Sequence, residues 1–389
     1  MRDVTVVGAS LAGLATVRAL REQGFDGRIV VVGDEKHAPY DRPPLSKDFL
    51  AGTASDTDVV LAGPDDGEQA AQWRLGRTAV ALDGPGRVVT LDDGERLSSD
   101  AVVLATGARA RTLPGEQPQG VHTLRTLDDA RALRADLVPG RRLVVVGAGF
   151  VGAEVASTAA GLGLEVDIVE AAPVPLQRAL GPEMGVACGR LHAAHGVRLH
   201  PGTGVAGIVG SPRVTGVRTD DGREFPADVV VVGIGALPNV EWLAGSGLEL
   251  DDGVVTDACG RTALPGIVAV GDCAASLRDY TGNRLRLEHW TNALQQPAVA
   301  AAALLGTAHA LPAHHAVPYF WSDQYGHRIQ FAGHRAADGA LRVEEGDPED
   351  PAAGLLVLFL DPGGEPVGVL GIDRARPFGR WRRELAKRL

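Results

Sequence analysis

Cysteine, lysine and aromatic residues are all scarce in this 389-residue chain. The three cysteines, Cys188, Cys259 and Cys273, lie far apart and form no CxxC pair. That spacing excludes a local dithiol motif and predicts reduced, buried thiols in a cytoplasmic protein. Lysine occurs only at positions 36, 47 and 387, leaving 35 of the 38 basic residues as arginine. A lysine at position 47 therefore stands out. The formal net charge of −11 excludes a nucleic-acid backbone as the main partner, because a phosphate surface needs clustered cations. No apolar run approaches the roughly 18 residues that a membrane span requires. The chain opens on "DVTVVGAS" with no charged and apolar leader ahead of it, so a soluble, cytoplasmic protein is expected.

Glycine, by contrast, is abundant at 51 residues, which points to many tight turns and close backbone approaches. The length predicts two or three domains. Two segments repeat one pattern: "VTVVGASLAGLATVRALREQGFDGRIVVVGDE" (4–35) and "RLVVVGAGFVGAEVASTAAGLGLEVDIVE" (142–170). Each is an apolar strand, a glycine turn, an Ala- and Leu-rich helix and a second strand ending in an acid. This is the βαβ dinucleotide fingerprint. Its first glycine makes the turn, its second admits a pyrophosphate and its third lets helix and strand pack closely. The helix N-terminus then faces the phosphates. In the first copy Gly8, Ser10, Ala12 and Gly13 form the turn, with Ser10 in place of the middle glycine; in the second the glycines are Gly147, Gly149 and Gly152. Two copies imply two dinucleotides.

"DAVVLATGARARTLPG", "PADVVVVGIGALPN" and "PGIVAVGDCAASL" each pair an apolar strand, of the kind buried on both faces, with a glycine turn. Asp272, in the last of these, is expected at a helix N-terminus. From Pro312 onward, "VPYFWSDQYGHRIQFAGH", "GLLVLFL" and "PVGVLGI" read as antiparallel strands, and "RPFGRWRRELAKRL" as a helix. The expected fold is α/β, with two Rossmann-like units in a glutathione-reductase-like architecture and a C-terminal α+β domain. Residues 1–112 and 241–311 would form one nucleotide domain, 113–240 the second and 312–389 the third.

The whole chain resembles the FAD-dependent, NADH-using ferredoxin and rubredoxin reductases that serve bacterial oxygenases. The resemblance is carried by Gly8 to Gly13, "PYDRPPLSK", "LATG", Gly147 to Gly152 with Glu154, "GIGALPN", "VGDCA", "EHWTNA" and "FWSDQYG". It implies FAD on the first fingerprint and NADH on the second. Asp34 and Glu35 end the first βαβ unit, where an acid accepts from the adenosine ribose. The resemblance places Arg42, Lys47, Val80, Thr106, Gly107, Arg125, Asp272 and Trp290 about the FAD, with Trp321 near the flavin ring. Gly235 joins the NADH site. Lys47 would stand beside the flavin, and Glu154 near flavin and nicotinamide, paired with Lys47.

Glu170 ends the second βαβ unit 23 residues after Gly147. A carboxylate there accepts from the ribose 2′-OH and repels a 2′-phosphate, so NADH is preferred. Disulfide reductases of similar build keep their cysteines near residue 45, where this chain has Pro43, Pro44, Leu45, Ser46 and Lys47. Thiol chemistry is excluded there, and electrons must leave from the flavin itself. The implied acceptor is a 2Fe–2S ferredoxin; rubredoxin, another acceptor, or a redox-sensing role like that of apoptosis-inducing factor are the alternatives. Arg374, Arg376, Arg380, Arg382, Arg383, Lys387 and Arg388 face a single acid, Glu384, in the last 16 residues, a patch suited to steering an acidic partner near Arg380, Arg382 and Arg383. The protein is expected to act as a monomer or homodimer.

Overall fold

The computed structural model describes residues 1–67, 69–278, 283–307 and 317–388. The first fingerprint folds as Asp3–Val7, the helix Leu11–Glu22 and the strand Arg28–Gly33. These strands pair in parallel, Val4 with Ile29 and Val6 with Val31. Ala101–Leu104 and then Ile267–Ala269 add on one side, Gln72–Leu75 on the other, giving a five-stranded parallel sheet. Its central strands are largely apolar because both faces are covered. The second fingerprint builds the same layer again. Arg142–Val146 pairs in parallel with Glu165–Glu170 and Val229–Val232, and Arg198–Pro201 and Val121–His122 complete five strands.

The two layers are linked by an antiparallel ribbon, Ala108–Ala110 against Ala236–Pro238. Thr106 Oγ1 donates to Asn239 O at 2.7 Å and Asn239 Nδ2 returns a bond to Thr106 O at 3.0 Å, so the "LATG" and "GALPN" turns are tied together. The C-terminal part is a five-stranded antiparallel sheet in the order Tyr319–Gln324, His327–Gly333, Pro366–Ile372, Leu355–Leu360, Leu341–Glu345. The strand Leu341–Glu345 is short, polar at three of its five residues and almost wholly exposed, so its pattern did not announce it. The helix Ala375–Ala386 lays Phe378 and Leu385 on this sheet.

Two expectations change. Asp272 sits in a short 3₁₀ turn, Gly271–Cys273, between two strands and not at the start of a helix. The buried Gln296 accepts from Gly271 N at 2.9 Å and holds that turn instead. Cys188 and Cys273 are buried, but Cys259 is partly exposed. The boundary expected at 311/312 lies outside the described residues.

The third glycine of each fingerprint is a packing residue. A Cβ on Gly13 would lie 1.9 Å from Gly8 O, and one on Gly152 2.2 Å from Gly147 O. Gly161, at the far end of the same helix as Gly152, meets nothing within 4 Å. Gly152→Ala should therefore destabilise the protein by about 1–3 kcal/mol, whereas Gly161→Ala should stabilise it by roughly 0.5–1 kcal/mol. Urea unfolding of both variants checks the opposite signs.

Candidate active site

Both glycine turns open into one cleft of about 1390 Å³. On one side it is lined by Gly8, Ser10, Ala12, Asp34, Glu35, Arg42, Thr106, Gly107, Arg125, Asp272 and Trp290. Gly8 adopts φ +121°, and a Cβ there would meet Ala105 O at 2.0 Å, so only glycine fits this turn, which lines the cleft without a side chain. Ser10 stands just ahead of the Leu11–Glu22 helix, and Ser10, Leu11 and Ala12 put the start of that helix, with its unpaired N–H groups, at the cleft. Glu35 is held by Arg42 Nη2 at 2.7 Å and by the Tyr40 hydroxyl at 2.5 Å; Asp34 is exposed beside it. Arg125 Nη2 pairs with Asp272 Oδ2 at 2.5 Å.

The other side is lined by Gly147, Gly149, Glu154, Glu170 and Gly235. Gly147 adopts φ +101°, and a Cβ on it would lie 2.4 Å from Gly233 O. Glu170 Oε2 accepts from Ala148 N at 2.6 Å and Oε1 from Ala172 N at 2.7 Å. The strand-end acid is thus fixed against its own glycine turn, with lone pairs left for a ribose.

Where the two sides meet, Lys47 Nζ lies 2.7 Å from Glu154 Oε2, with side-chain exposures of 17% and 6%. Ser46 Oγ donates to the same oxygen at 2.5 Å, and Ser322 Oγ to Oε1 at 2.7 Å. Removing one partner of such a buried pair costs about 3–5 kcal/mol, since the remaining charge stays buried. Trp290 Nε1 donates to Asp41 Oδ1 at 2.7 Å, and Trp290 meets Trp321 edge to face at 5.9 Å. Burial pushes the Asp41 carboxyl above its ordinary range, against the Trp290 hydrogen bond and the Lys47 charge.

Nearly all the candidate residues thus converge on one cleft. Val80 does not line it: it is 46% exposed on the strand Ala79–Asp83. Gly13 and Gly152 stand behind the lining, in packing roles. Asp41, Ser46, Phe320 and Ser322 were missed as site residues although they lie inside "PYDRPPLSK" and "FWSDQYG". For Phe320 and Ser322 the available signal was three consecutive polar residues, Ser322 to Gln324, following three aromatic ones in one strand. Among the residues lining the cleft there is no cysteine, and no helix of the described residues is long and apolar enough to cross a membrane.

The chain belongs to the pyridine nucleotide-disulphide oxidoreductase family, which matches residues 2–297, and residues 319–389 match the reductase C-terminal domain. It is 43% identical to the ferredoxin reductase component of the chlorobenzene dioxygenase of Cupriavidus sp. (strain PS12), covering 96% of this chain and 90% of that one. It is 38% identical to the ferredoxin–NAD(+) reductase subunit of the benzene 1,2-dioxygenase system of Pseudomonas putida, over 96% of this chain and 90% of that one. The structure superimposes on putidaredoxin reductase in its covalent complex with putidaredoxin with a TM-score of 0.93, at 35% identity, covering 100% of this chain and 94% of that one. Enzymes of this family work with FAD and NAD(H). The two bare glycine turns, each followed by a strand-end acid, fit two such dinucleotides.

Glu170 offers a test of the second turn. A unit charge about 4 Å from a 2′-phosphate charge costs up to about 4 kcal/mol at a surface-like dielectric, before salt screening. Half of that exceeds a tenfold preference. Glu170→Ala should therefore raise the NADPH-to-NADH ratio of kcat/KM by at least about tenfold; an unchanged ratio would remove Glu170 as the discriminator.

Proposed function

We propose that this chain is an FAD-dependent NADH:ferredoxin reductase that passes single electrons to a 2Fe–2S protein serving a mono- or dioxygenase. The observation that carries it is the buried Lys47–Glu154 pair where two dinucleotide cradles meet, in a cleft with no lining cysteine. Bound FAD supplies the chemistry that the side chains lack: it takes a hydride as two electrons and releases them one at a time.

The residues of the chain bind, orient and exclude water. Residues 1–112 and 241–311 hold FAD, with Gly8 and Ser10 at its phosphates and Glu35 at its ribose. Residues 113–240 hold NADH, with Gly147 and Gly149 at the pyrophosphate and Glu170 at the ribose. Lys47 presents an ammonium at the meeting point, held against Glu154. Trp290, Phe320 and Trp321 wall the same region with apolar surface, which keeps water out and strengthens the charges inside. The chain's few cysteines fit a cytoplasmic location.

Docking follows the basic C-terminal helix. Arg380 and Arg383 are exposed, whereas Arg382 lies over the Tyr319 ring at 3.9 Å and is committed to packing. Of the three cations expected to meet an acidic ferredoxin, Arg380 and Arg383 are therefore the outward ones.

Anaerobic mixing of the yellow protein with NADH should bleach it rapidly, and NADPH much more slowly. Reduction of cytochrome c should then require added 2Fe–2S ferredoxin. Bleaching that stalls in a stable long-wavelength band, with no ferredoxin-dependent flow, would overturn the assignment. The double variant R380E/R383E should raise the KM for ferredoxin several-fold while ferricyanide reduction stays unchanged. Ferredoxin kinetics indifferent to these charges and to salt would dismiss this docking face.

A further inference from the structure

The strand Tyr319–Gln324 belongs to the C-terminal sheet, yet one of its faces meets the helix Phe150–Gly161. Phe320, Ser322 and Gln324 share that face at a spacing of two, as the pleat requires. Phe320 lines the cleft and packs on Phe150, ring centroids 4.5 Å apart, at the start of the helix Phe150–Gly161. Ser322 and Gln324 are 0% and 1% exposed. Gln324 Nε2 donates to Ser322 Oγ at 3.0 Å, and Ser322 Oγ donates to Glu154 Oε1 at 2.7 Å. A hydroxyl has one proton to give. With Gln324 donating to its oxygen, that proton is directed at Glu154. One helical turn further along, Tyr325 N donates to Ser157 Oγ at 2.6 Å, so the strand end is fixed along this helix at two points.

The other oxygen of Glu154 receives Lys47 and Ser46. The carboxylate thus has three donors from two remote chain segments, and their division between its oxygens sets its orientation. Without a donor on Oε1, only the contacts to Oε2 hold the group against turning about its terminal bond, which is a soft torsion.

We propose that Ser322, itself oriented by Gln324, is the positioning residue for Glu154, so that the C-terminal domain contributes directly to the geometry of the hydride-transfer site. This rests on the reductase assignment for its kinetic readout, but not for its structural one. A misplaced group at a reacting centre costs rate more than binding, and a hydrogen bond to a charged group is strong enough for a large effect.

The test uses the FAD-loaded protein. On anaerobic mixing with NADH, Ser322→Ala should lower the limiting rate of flavin bleaching by at least about tenfold. The NADH concentration for half-maximal rate and the FAD content should change by less than about twofold, as expected for a lost orientation and not a lost fold. Ser322→Thr, which keeps the hydroxyl, should recover most of the rate. The second readout is thermal melting of the same holoenzymes: Ser322→Ala should lower the Tm of the parent protein but not that of Glu154→Ala, whose partner is already gone. Wild-type bleaching by Ser322→Ala would overturn the proposal, as would Tm losses that simply add. Parent protein that NADH fails to bleach would instead refute the reductase assignment, and the melting comparison would still decide whether Ser322 acts through Glu154.

Discussion

A carboxylate that is only 5% exposed must find its hydrogen bonds inside the protein, and Glu154 finds them in two other stretches of chain. A buried charge is costly unless it is paired and its remaining lone pairs are satisfied. Lys47 supplies the charge, Ser46 and Ser322 supply the hydroxyls, and all three have to arrive at once. This explains why the Pro43–Ser46 turn is fastened a second time to the same helix, by Thr158 Oγ1 donating to Ser46 O at 2.8 Å. It also explains why the C-terminal sheet is joined to that helix by Phe320 and Tyr325 as well as by Ser322.

The two dinucleotide cradles obey a different constraint, which is purely steric. In each, the helix packs so close to its turn that a single carbon on the third glycine would collide with a carbonyl. In each, the first glycine occupies a left-handed conformation that side-chain-bearing residues avoid. The third-glycine contact is local to a few residues, whereas the first glycine in each also presses on the neighbouring strand's exit, Ala105 and Gly233. The Thr106–Asn239 bonds and the Ala108–Ala110 ribbon then bring the two solutions face to face. The helix bearing Glu154 starts at the second turn, so its carboxylate lies where the two cradles meet.

This difference in range decides what could be seen in the sequence. Gly8, Gly13, Gly147, Gly152, Glu35 and Glu170 were legible because their spacing within one βαβ unit carries the motif, although Gly8 and Gly147 also press on Ala105 and Gly233, and Glu35 is held by Tyr40 and Arg42, outside it. The antiparallel C-terminal strands were legible from aromatic and polar alternation at 317–334 and from the apolar runs at 355–360 and 366–372; Leu341–Glu345 is too short, polar and exposed to stand out. The Lys47–Glu154 pair was accessible only through resemblance, since 107 residues separate the partners. Ser322 lies 168 residues from Glu154, and nothing in its neighbours states that distance away. The turn at Asp272 was misjudged because a glycine followed by an acid after a strand suits a helix start and a tight turn equally well; Gln296, on a later helix, selects the turn.

The family's name refers to a disulphide, and this chain has no cysteine lining its cleft. The segment at 43–47 nevertheless remains rigid: two prolines restrict the backbone, and Ser46 is bonded through both its hydroxyl and its carbonyl. What the architecture requires at this place is therefore a group of fixed position, and its chemical nature is a separate choice. A thiol pair there would store electrons. An ammonium stores none, but it is a fixed positive charge in a partly dry site, where charge acts strongly. The same scaffold can then serve a one-electron acceptor outside the cleft, provided the counter-charge on Glu154 is kept in place, and that places part of the demand on the C-terminal strand.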